Sequence, residues 1–457
     1  MQNMSKISKE MYSLVFKLLL LPIVEWKYGM SIRKQLRELE ETQWWPIAEL
    51  QELQNERLRR LIKHAYENVP YYQTIFRQQG LTLGDIQYAS DLPKLPILTK
   101  QKLRESFGKM LSSDFAQRKQ KLNRTGGSTG EPLRFYIDWE SWSMSWACIY
   151  LGWRFAGYRF GDRMATLGGA SLFPDKDMSF KSRLRLFLER NLLLSATHMS
   201  DDIMGHYYNL LEKHQPRFLR GYPSAIYILA DYMKQNRLAP IDLDAVFTTA
   251  EVILPNHREL IEEVLNCPVF DGYGCGDGGG SAIECPAHEG HHIPVQRVVM
   301  EFVNDEGQPV DYGQLGKILL TDLFNYSMPF IRYEVGDMGI PSDHTCPCGR
   351  GMPLVKSLSG RTTDIIRFGD GRIISGPALT LIFREFPIQQ YQVIQTDMDN
   401  LLIKIVKGTG YTRKDSDRLV NAMEHHVGHQ GSVKLEFADD IPASKSGKRL
   451  FIISKVS

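Results

Sequence analysis

Cysteine is scarce in this sequence. There are 6 in 457 residues, too few and too unevenly spaced for the disulfide framework of a secreted scaffold. An excess of one charge is equally lacking. Lys and Arg total 55 against 53 Asp and Glu, a formal net charge of +2. No global field therefore draws the chain to nucleic acid or to anionic lipid, and any anion site has to be local. Glycine (37) and proline (22) are too few, and hydrophobic residues (43%) too many, for collagen-like or disordered classes. There is no internal repeat and no low-complexity tract. Tyr12 to Val24 is apolar apart from Ser13, Lys17 and Pro22. That is shorter than the ~20 residues a spanning helix needs, and it has no small-residue cleavage site. It is expected to be a docked helix, with a weak membrane-surface contact as its interfacial alternative.

What is present is length and pattern. At ~150 residues per domain the chain holds about three domain-sized units, enough to bury a core without staples. Ser31 to Arg77 has helical periodicity, with Leu50, Leu53, Leu58 and Leu61 between charged positions. Prolines in the segment Leu92 to Lys100 break it into loops. From Met144 to Val252, strand-and-turn runs (RMATLGG, RFLRGYPS) alternate with helical ones (MGHYYNLLEKH, AIYILADYMKQN), and two short apolar strands, AVFTTAE and PVFDGYG, follow. This alternation predicts a parallel α/β sheet with ligands at the carboxyl ends of its strands. VVMEFVNDEGQPV, GKILLTDL and PFIRYEVGDMG then predict an antiparallel β-region, and beyond Gly360 a hairpin, a helix and alternating strands predict a small α+β unit. The fold class is α/β: an N-terminal body over residues 1–360, helical over 1–110, and a C-terminal unit over 361–457.

Five motifs carry chemistry. In Arg124-Thr125-Gly126-Gly127-Ser128-Thr129-Gly130-Glu131-Pro132, glycines allow close backbone approach to an anion and hydroxyls offer donors to phosphate oxygens. In Asp271-Gly272-Tyr273-Gly274-Cys275-Gly276-Asp277, the tyrosine face can stack on a purine and the last carboxylate can hold Mg²⁺. Asp337 ends a strand where a carboxylate can grip a ribose diol. Gly360-Arg361-Thr362-Thr363-Asp364 marks the boundary of the small unit, and Lys448 lies in a glycine-containing loop near the C-terminus. Trp142, Trp146, Tyr150 and Trp153 are dense enough to line an apolar acid pocket, but rings at this spacing are expected to be core.

In that order the motifs resemble those of the adenylate-forming enzymes: the TSGSTGxP loop as TGGSTGEP, YGxTE as YGCGD, the ribose-binding Asp in YEVGD, the GRxxD hinge as GRTTD, and the C-terminal SGK lysine. VPYYQTIF, DLPKLPILTK, RGYPSAI and ECPAHEGHHI…TCPCGR are similar to the phenylacetate–CoA ligase-like branch, including relatives associated with capsule and exopolysaccharide. The resemblance implies an adenylate-forming fold with a mobile C-terminal lid. Thr125, Gly126, Gly127, Ser128, Thr129 and Gly130 would cradle ATP phosphates, and Ala250 and Glu251 would line adenine. Tyr273 and Gly274 would face the base, Asp337 would bind ribose, and Arg361 would contact ribose or phosphate. Asp364 would be the hinge, and Lys448 would bridge the carboxylate and α-phosphate. Asp277 replaces the family's Glu as the Mg²⁺ ligand, with a shorter reach.

Cys346-Pro347-Cys348-Gly349, with Cys285 some sixty residues earlier, is three-quarters of a Cys₃His zinc set, for whose fourth place His288, His291 and His292 compete. The branch's Gly-x-His pattern points to His292. The expected function is ATP-dependent activation of a carboxylic acid to an acyl-adenylate. Transfer to CoA, or to an amine or sugar acceptor in polysaccharide biosynthesis, would follow. The alternative is a nucleotide-binding, non-catalytic partner of an envelope-polysaccharide assembly. A cytoplasmic location and a homodimer complete the expectations.

Overall fold

The computed structural model describes residues 12–124, 133–169, 186–196, 199–361, 365–368, 373–375, 379, 382–383, 385–398, 400–408, 410–427, 432–442, 450–454 and 456. Thr125 to Gly130, Asp364 and Lys448 lie outside these residues, as does the side chain of Arg361.

The N-terminal region is helical. A π-helical turn, Phe16–Leu20, runs into α1 (Leu21–Tyr28), and α2 (Ile32–Thr42), α3 (Ile47–Asn68) and α4 (Pro70–Gln79) follow. In α3 the residues Leu50, Leu58, Leu61, Ile62 and Ala65 repeat at helical spacing and are fully buried. Pro70 starts α4, where its missing N–H costs nothing, and Gly80 ends it in the left-handed conformation. The proline-rich segment after α4 is not a free linker. Arg332, buried, donates to the carbonyls of Leu95 (2.7 Å) and Gly307 (2.9 Å) and pairs with Glu301 (3.1 Å).

An eleven-stranded sheet forms the centre, in the order β10-β11-β12-β13-β9-β8-β7-β6-β5-β3-β4. The strands are β3 (Met164–Gly168), β4 (Asn191–Ser195), β5 (Phe218–Gly221), β6 (Ala245–Thr249), β7 (Val269–Gly274), β8 (Ser281–Glu284), β9 (His291–His292), β10 (Val298–Val303), β11 (Gly316–Asp322), β12 (Tyr333–Ser342) and β13 (Leu354–Arg361). β3 to β7 pair in parallel, and every pairing from β7–β8 onward is antiparallel. The antiparallel region is therefore continuous with the parallel sheet. The two-residue strand β9 bridges β8 and β13, and so short a strand has no periodicity to detect.

Alternation along the parallel strands builds two cores. Phe218, Phe247 and Phe270 face α5 (Trp139–Phe155) and the N-terminal helices. Leu219, Val246 and Val269 face the other way, toward α6 (Asp201–His214), α7 (Pro223–Gln235) and α8 (Pro255–Leu265). A hairpin of β1 (Gln120–Arg124) and β2 (Arg134–Asp138) flanks the glycine-rich segment.

The C-terminal region pairs β14 (Ile365–Arg367) with β15 (Ile373–Ser375). It then builds a four-stranded sheet, β18-β17-β16-β19, from β16 (Ile388–Gln395), β17 (Asn400–Lys407), β18 (Ser432–Phe437) and β19 (Ile452–Ser454), with the helix α9 (Arg413–Val427) between β17 and β18. Its core includes Leu254 from the large body. Beside Leu254, His257 stacks on Tyr227 at 4.0 Å and meets the edge of Phe451 at 6.1 Å. Among the described residues, no helix is long and apolar enough to cross a membrane.

Candidate active site

The site lies at the carboxyl ends of the parallel strands, where short buried strands give way to polar turns. β6 ends at Thr249, and the chain then turns through Ala250 at φ 72°. Left-handed backbone at a residue with a Cβ is uncommon and costs ~1–3 kcal/mol where it is held. The turn is fixed by Glu251, whose carboxylate accepts from the Ser224 N–H at 3.2 Å at the start of α7. Gly221, two residues before that helix, has to be glycine: a Cβ there would sit 2.2 Å from the Leu167 carbonyl oxygen.

Tyr273 lies near the end of β7, between β6 and β8. Its hydroxyl donates to Asp337 Oδ2 at 2.7 Å. Burial, and then the Asp337 charge, push the phenol's pKa well above its ordinary value, so it stays a donor. Asp337 stands opposite Arg361 in the β12–β13 ladder. The fold thus brings Tyr273, Asp337 and the backbone of Arg361, each expected from its motif to serve a nucleotide, to one place from three separate stretches of sequence.

Asp277 is not a solvated loop tip. It is buried, and Tyr333 donates to its Oδ2 at 2.7 Å while the Cys275 thiol contacts its Oδ1 at 3.2 Å. Burial and then Asp277 raise the Cys275 pKa well above the usual thiol range, which keeps the proton on sulfur. Gly278 and Gly279, at φ 86° and 74°, turn the chain back beneath it. A Cβ on Gly279 would come within 2.6 Å of the Asp322 carboxylate. Asp322 in turn accepts from Ser141 at 2.7 Å and faces the buried Arg297 guanidinium at 3.6 Å.

Behind the strand ends lies a second layer of charges. Thr248 and His291 both bond Asp271, at 2.6 and 3.0 Å. Burial is the largest influence on His291 and opposes its charge, but the hydrogen bond and charge of Asp271 together with the Glu284 charge outweigh it, and its pKa is raised. Glu284 pairs with Arg258 at 2.9 Å and His288 at 3.2 Å. Two of the three candidate zinc histidines are therefore directed at carboxylates. The third, His292, is directed at the thiols. Ligand atoms of Cys285, His292, Cys346 and Cys348 all lie within 4.8 Å of one another. Cys285 Sγ to Cys346 Sγ is 3.5 Å and Cys348 Sγ to His292 Nε2 is 3.3 Å. These spacings suit the edges of a tetrahedron with Zn–S of ~2.3 Å. His292 Nδ1 lies 3.1 Å from the Met352 carbonyl, which orients the ring and leaves Nε2 for a metal. Burial lowers the His292 pKa, keeping the ring neutral, and pushes the Cys285 thiol up to about 12. Metal binding here would therefore release protons. The cluster is tied to the N-terminal helices: Arg350 donates to Gln43 at 2.8 Å and lies over the rings of Phe155 (3.9 Å) and Trp44 (4.6 Å). The Gly351 N–H bonds the Gln43 carbonyl at 2.9 Å.

Sequence reasoning missed two residues here. Tyr333, the partner of Asp277, lies four residues before Asp337 in a strand whose pattern gave no sign of which aspartate it would serve. Arg220 stands inside the short strand FLRG, and a charge in so apolar a strand was the available signal.

A long sheet, parallel at one end and antiparallel at the other, with polar turns at its strand ends and a small C-terminal α/β domain, defines the adenylate-forming enzyme fold. The crystal structure of 2-hydroxyisobutyryl-CoA ligase, in the postadenylation state in complex with R3-HIB-AMP, matches with a TM-score of 0.73 at 19% identity over 91% of this chain and 92% of that one. In sequence the chain is similar to CapK and to the phenylacetate–coenzyme A ligases. Protein CapK of Staphylococcus aureus is 26% identical over 429 residues, 89% of this chain and 90% of that protein. The phenylacetate–coenzyme A ligase of Thermus thermophilus is 25% identical over 328 residues, 70% of this chain and 72% of that one. A family model, the CapK C-terminal domain, matches residues 368–455.

Proposed function

We propose that this chain is an AMP-forming ligase. A carboxylate oxygen attacks the α-phosphate of ATP, the bond to the bridging oxygen breaks, and pyrophosphate leaves with an acyl-adenylate formed. A thiol or amine acceptor then attacks the acyl carbon and releases AMP. CoA is the acceptor in the name of the phenylacetate ligases; the motif resemblance to capsule- and exopolysaccharide-associated relatives makes an amine or sugar the second acceptor class. The observation that carries the reading is the Tyr273–Asp337 bond at the strand ends, two nucleotide-binding side chains locked to each other.

Catalysis in this reading is positioning and charge neutralisation. Thr125 to Gly130 hold the phosphates, Ala250 and Glu251 line adenine, Gly274 gives the base room beside Tyr273, and Lys448 bridges carboxylate and α-phosphate. Asp277 is the Mg²⁺ ligand. Tyr333 occupies its Oδ2, so Oδ1, contacted among the described residues by the weakly donating thiol, is the oxygen offered to the ion. Bound Mg²⁺ would neutralise phosphate charge. The C-terminal unit, residues 361–457, is a lid turning about Asp364, with Arg361 reaching ribose or phosphate. Zinc on Cys285, His292, Cys346 and Cys348 is structural. It fastens the turn between β8 and β9 to the loop before β13. A cytoplasmic location suits six cysteines that are all free.

The apolar segment before α2 is a membrane-surface contact in this reading. Leu14, Leu18, Leu19, Ile23 and Trp26 are exposed, Trp26 by 84%, with Lys17 and Lys27 among them. Exposed apolar rings and chains beside lysines suit the headgroup layer of an anionic bilayer.

The deciding experiment is pyrophosphate release across aryl, aliphatic and amino acids, with and without CoA. Acid-dependent release that falls at least 100-fold in Lys448→Ala, with ATP binding retained, supports the reading. ATP binding with no release for any acid overturns it in favour of a non-catalytic nucleotide-binding protein.

A further inference from the structure

Among the described residues, Arg220 is a cation with no counter-ion. It projects from β5 on the face that carries Phe218, in register with Phe247 of β6 on one side and Thr166 of β3 on the other. Its guanidinium lies over the Trp153 ring, 5.3 Å from the centroid, and Trp153 is itself stacked on Phe247 at 5.7 Å. Among the described residues, no hydrogen bond and no ion pair to Arg220 is found, and the groups that act on its charge are the phenols of Tyr150 and Tyr222. Burial draws its pKa down to about 10. Yet the side chain keeps some accessible surface, unlike Phe218, Leu219 and Gly221 around it. A guanidinium stacked on an indole and not fully buried can serve as the floor of a binding site.

Stacking on an aromatic face leaves the in-plane N–H donors unused, and those donors form the fork that matches a carboxylate. The place in the sheet is equally specific. Phe247, level with Arg220, is two residues below Thr249, after which Ala250 and Glu251 turn across the strand ends. At ~3.3 Å per strand residue, Arg220 lies about 7 Å beneath that edge. A substrate whose reacting carboxylate sits at the nucleotide would lead its other end down toward this arginine. For an apolar acid such a floor is unfavourable, because it opposes a hydrocarbon to a charge stripped of water.

We propose that Arg220 is a specificity-determining residue that receives a second anionic group at the far end of the acyl substrate, a dicarboxylic acid being the simplest such substrate. The inference rests on the adenylation reading and deepens it by naming the substrate class.

The test compares matched acids that differ in the distal group: butyrate with succinate, hexanoate with adipate, benzoate with isophthalate. Initial rates of pyrophosphate release are measured on the full chain. At least one diacid should exceed its monoacid partner by 30-fold or more in kcat/KM. Arg220→Met should erase that preference mainly through KM for the diacid, leaving kcat within about threefold and KM for ATP unchanged. Arg220→Lys should restore part of it, which a merely structural role would not produce. Thermal midpoints of both variants confirm folding. If Arg220→Met does not fold, the Arg220→Lys shift in diacid KM decides alone. Turnover of monoacids in preference to every diacid, with Arg220→Lys indifferent, overturns the proposal and leaves the adenylation reading standing. Absence of turnover with any acid overturns both.

Discussion

Tyr273 and Asp337 are 64 positions apart in the chain and 2.7 Å apart at their oxygen atoms. One bond therefore sets both the ring that would face the purine and the carboxylate that would take the ribose. Tyr273→Phe keeps the ring and removes the donor. A hydrogen bond to a charged group is worth ~1.5–3 kcal/mol, so KM for ATP should rise about 10-fold or more, with kcat little changed. Initial-rate measurements at saturating acid read this out, and an unchanged KM would detach the pair from the nucleotide.

The four ligands around the Cys346–Cys348 knuckle should hold one zinc per chain, measured by elemental analysis of the purified protein. Cys346→Ser should lose most of the metal and lower the thermal midpoint by several degrees, since binding free energy at such a site is folding free energy. His291→Ala, which alters the neighbouring histidine bonded to Asp271, should keep the metal. Full zinc retention in Cys346→Ser would contradict the assignment.

His257 gives a pH dependence with a definite sign. Burial against the C-terminal unit pulls its pKa down to about 3, and its Nδ1 has no partner among the described residues. In the unfolded chain it would titrate near ~6.5. Between these values the unfolded state holds the proton and the folded state does not. The stability is present above pH ~6.5 and is lost as pH falls, by up to ~1.4 kcal/mol per pH unit for this group. His257→Phe should flatten the acid limb of a denaturation-midpoint profile between pH 6.5 and 4.5. Parallel profiles would show that the group titrates elsewhere.

The exposed apolar surface before α2 should bring the protein down with vesicles rich in phosphatidylglycerol at low salt, and less so at high salt. Replacing Leu18 and Leu19 with Glu should leave it in the supernatant without changing pyrophosphate release. Equal sedimentation of wild type and variant would mean that this surface does not meet lipid.

Much of the fold was legible because its signals are local. The βα alternation from Met164 to Gly274 follows from short apolar strands with polar ends and from helices of clear period, and the order of five motifs named the superfamily. What stayed hidden depends on long-range contacts. The pairing of His291 and His292 with β8 and β13 makes one sheet of two regions, and nothing in a two-residue strand announces it. The Gly-x-His resemblance points to His292, but the physical reason, that Asp271 and Glu284 occupy the other two histidines, is long-range. Asp277 read as a loop-tip carboxylate because its partner Tyr333 is 56 positions away. Arg220 was not singled out, because it takes its meaning from the Trp153 ring that the fold stacks against it.

The junction at Arg350 and Gly351 has a consequence for how this chain is made. Gln43 in the helical region meets a partner that is synthesised 307 positions later. At ~5–20 residues per second, the first helices spend on the order of 15–60 s outside the ribosome with their inner face uncovered. The buried leucines of α3 would be open to chaperones, proteases and other nascent chains for that interval. Yield in a foreign host should therefore depend more on what shelters the first hundred residues than on the stability of the finished enzyme.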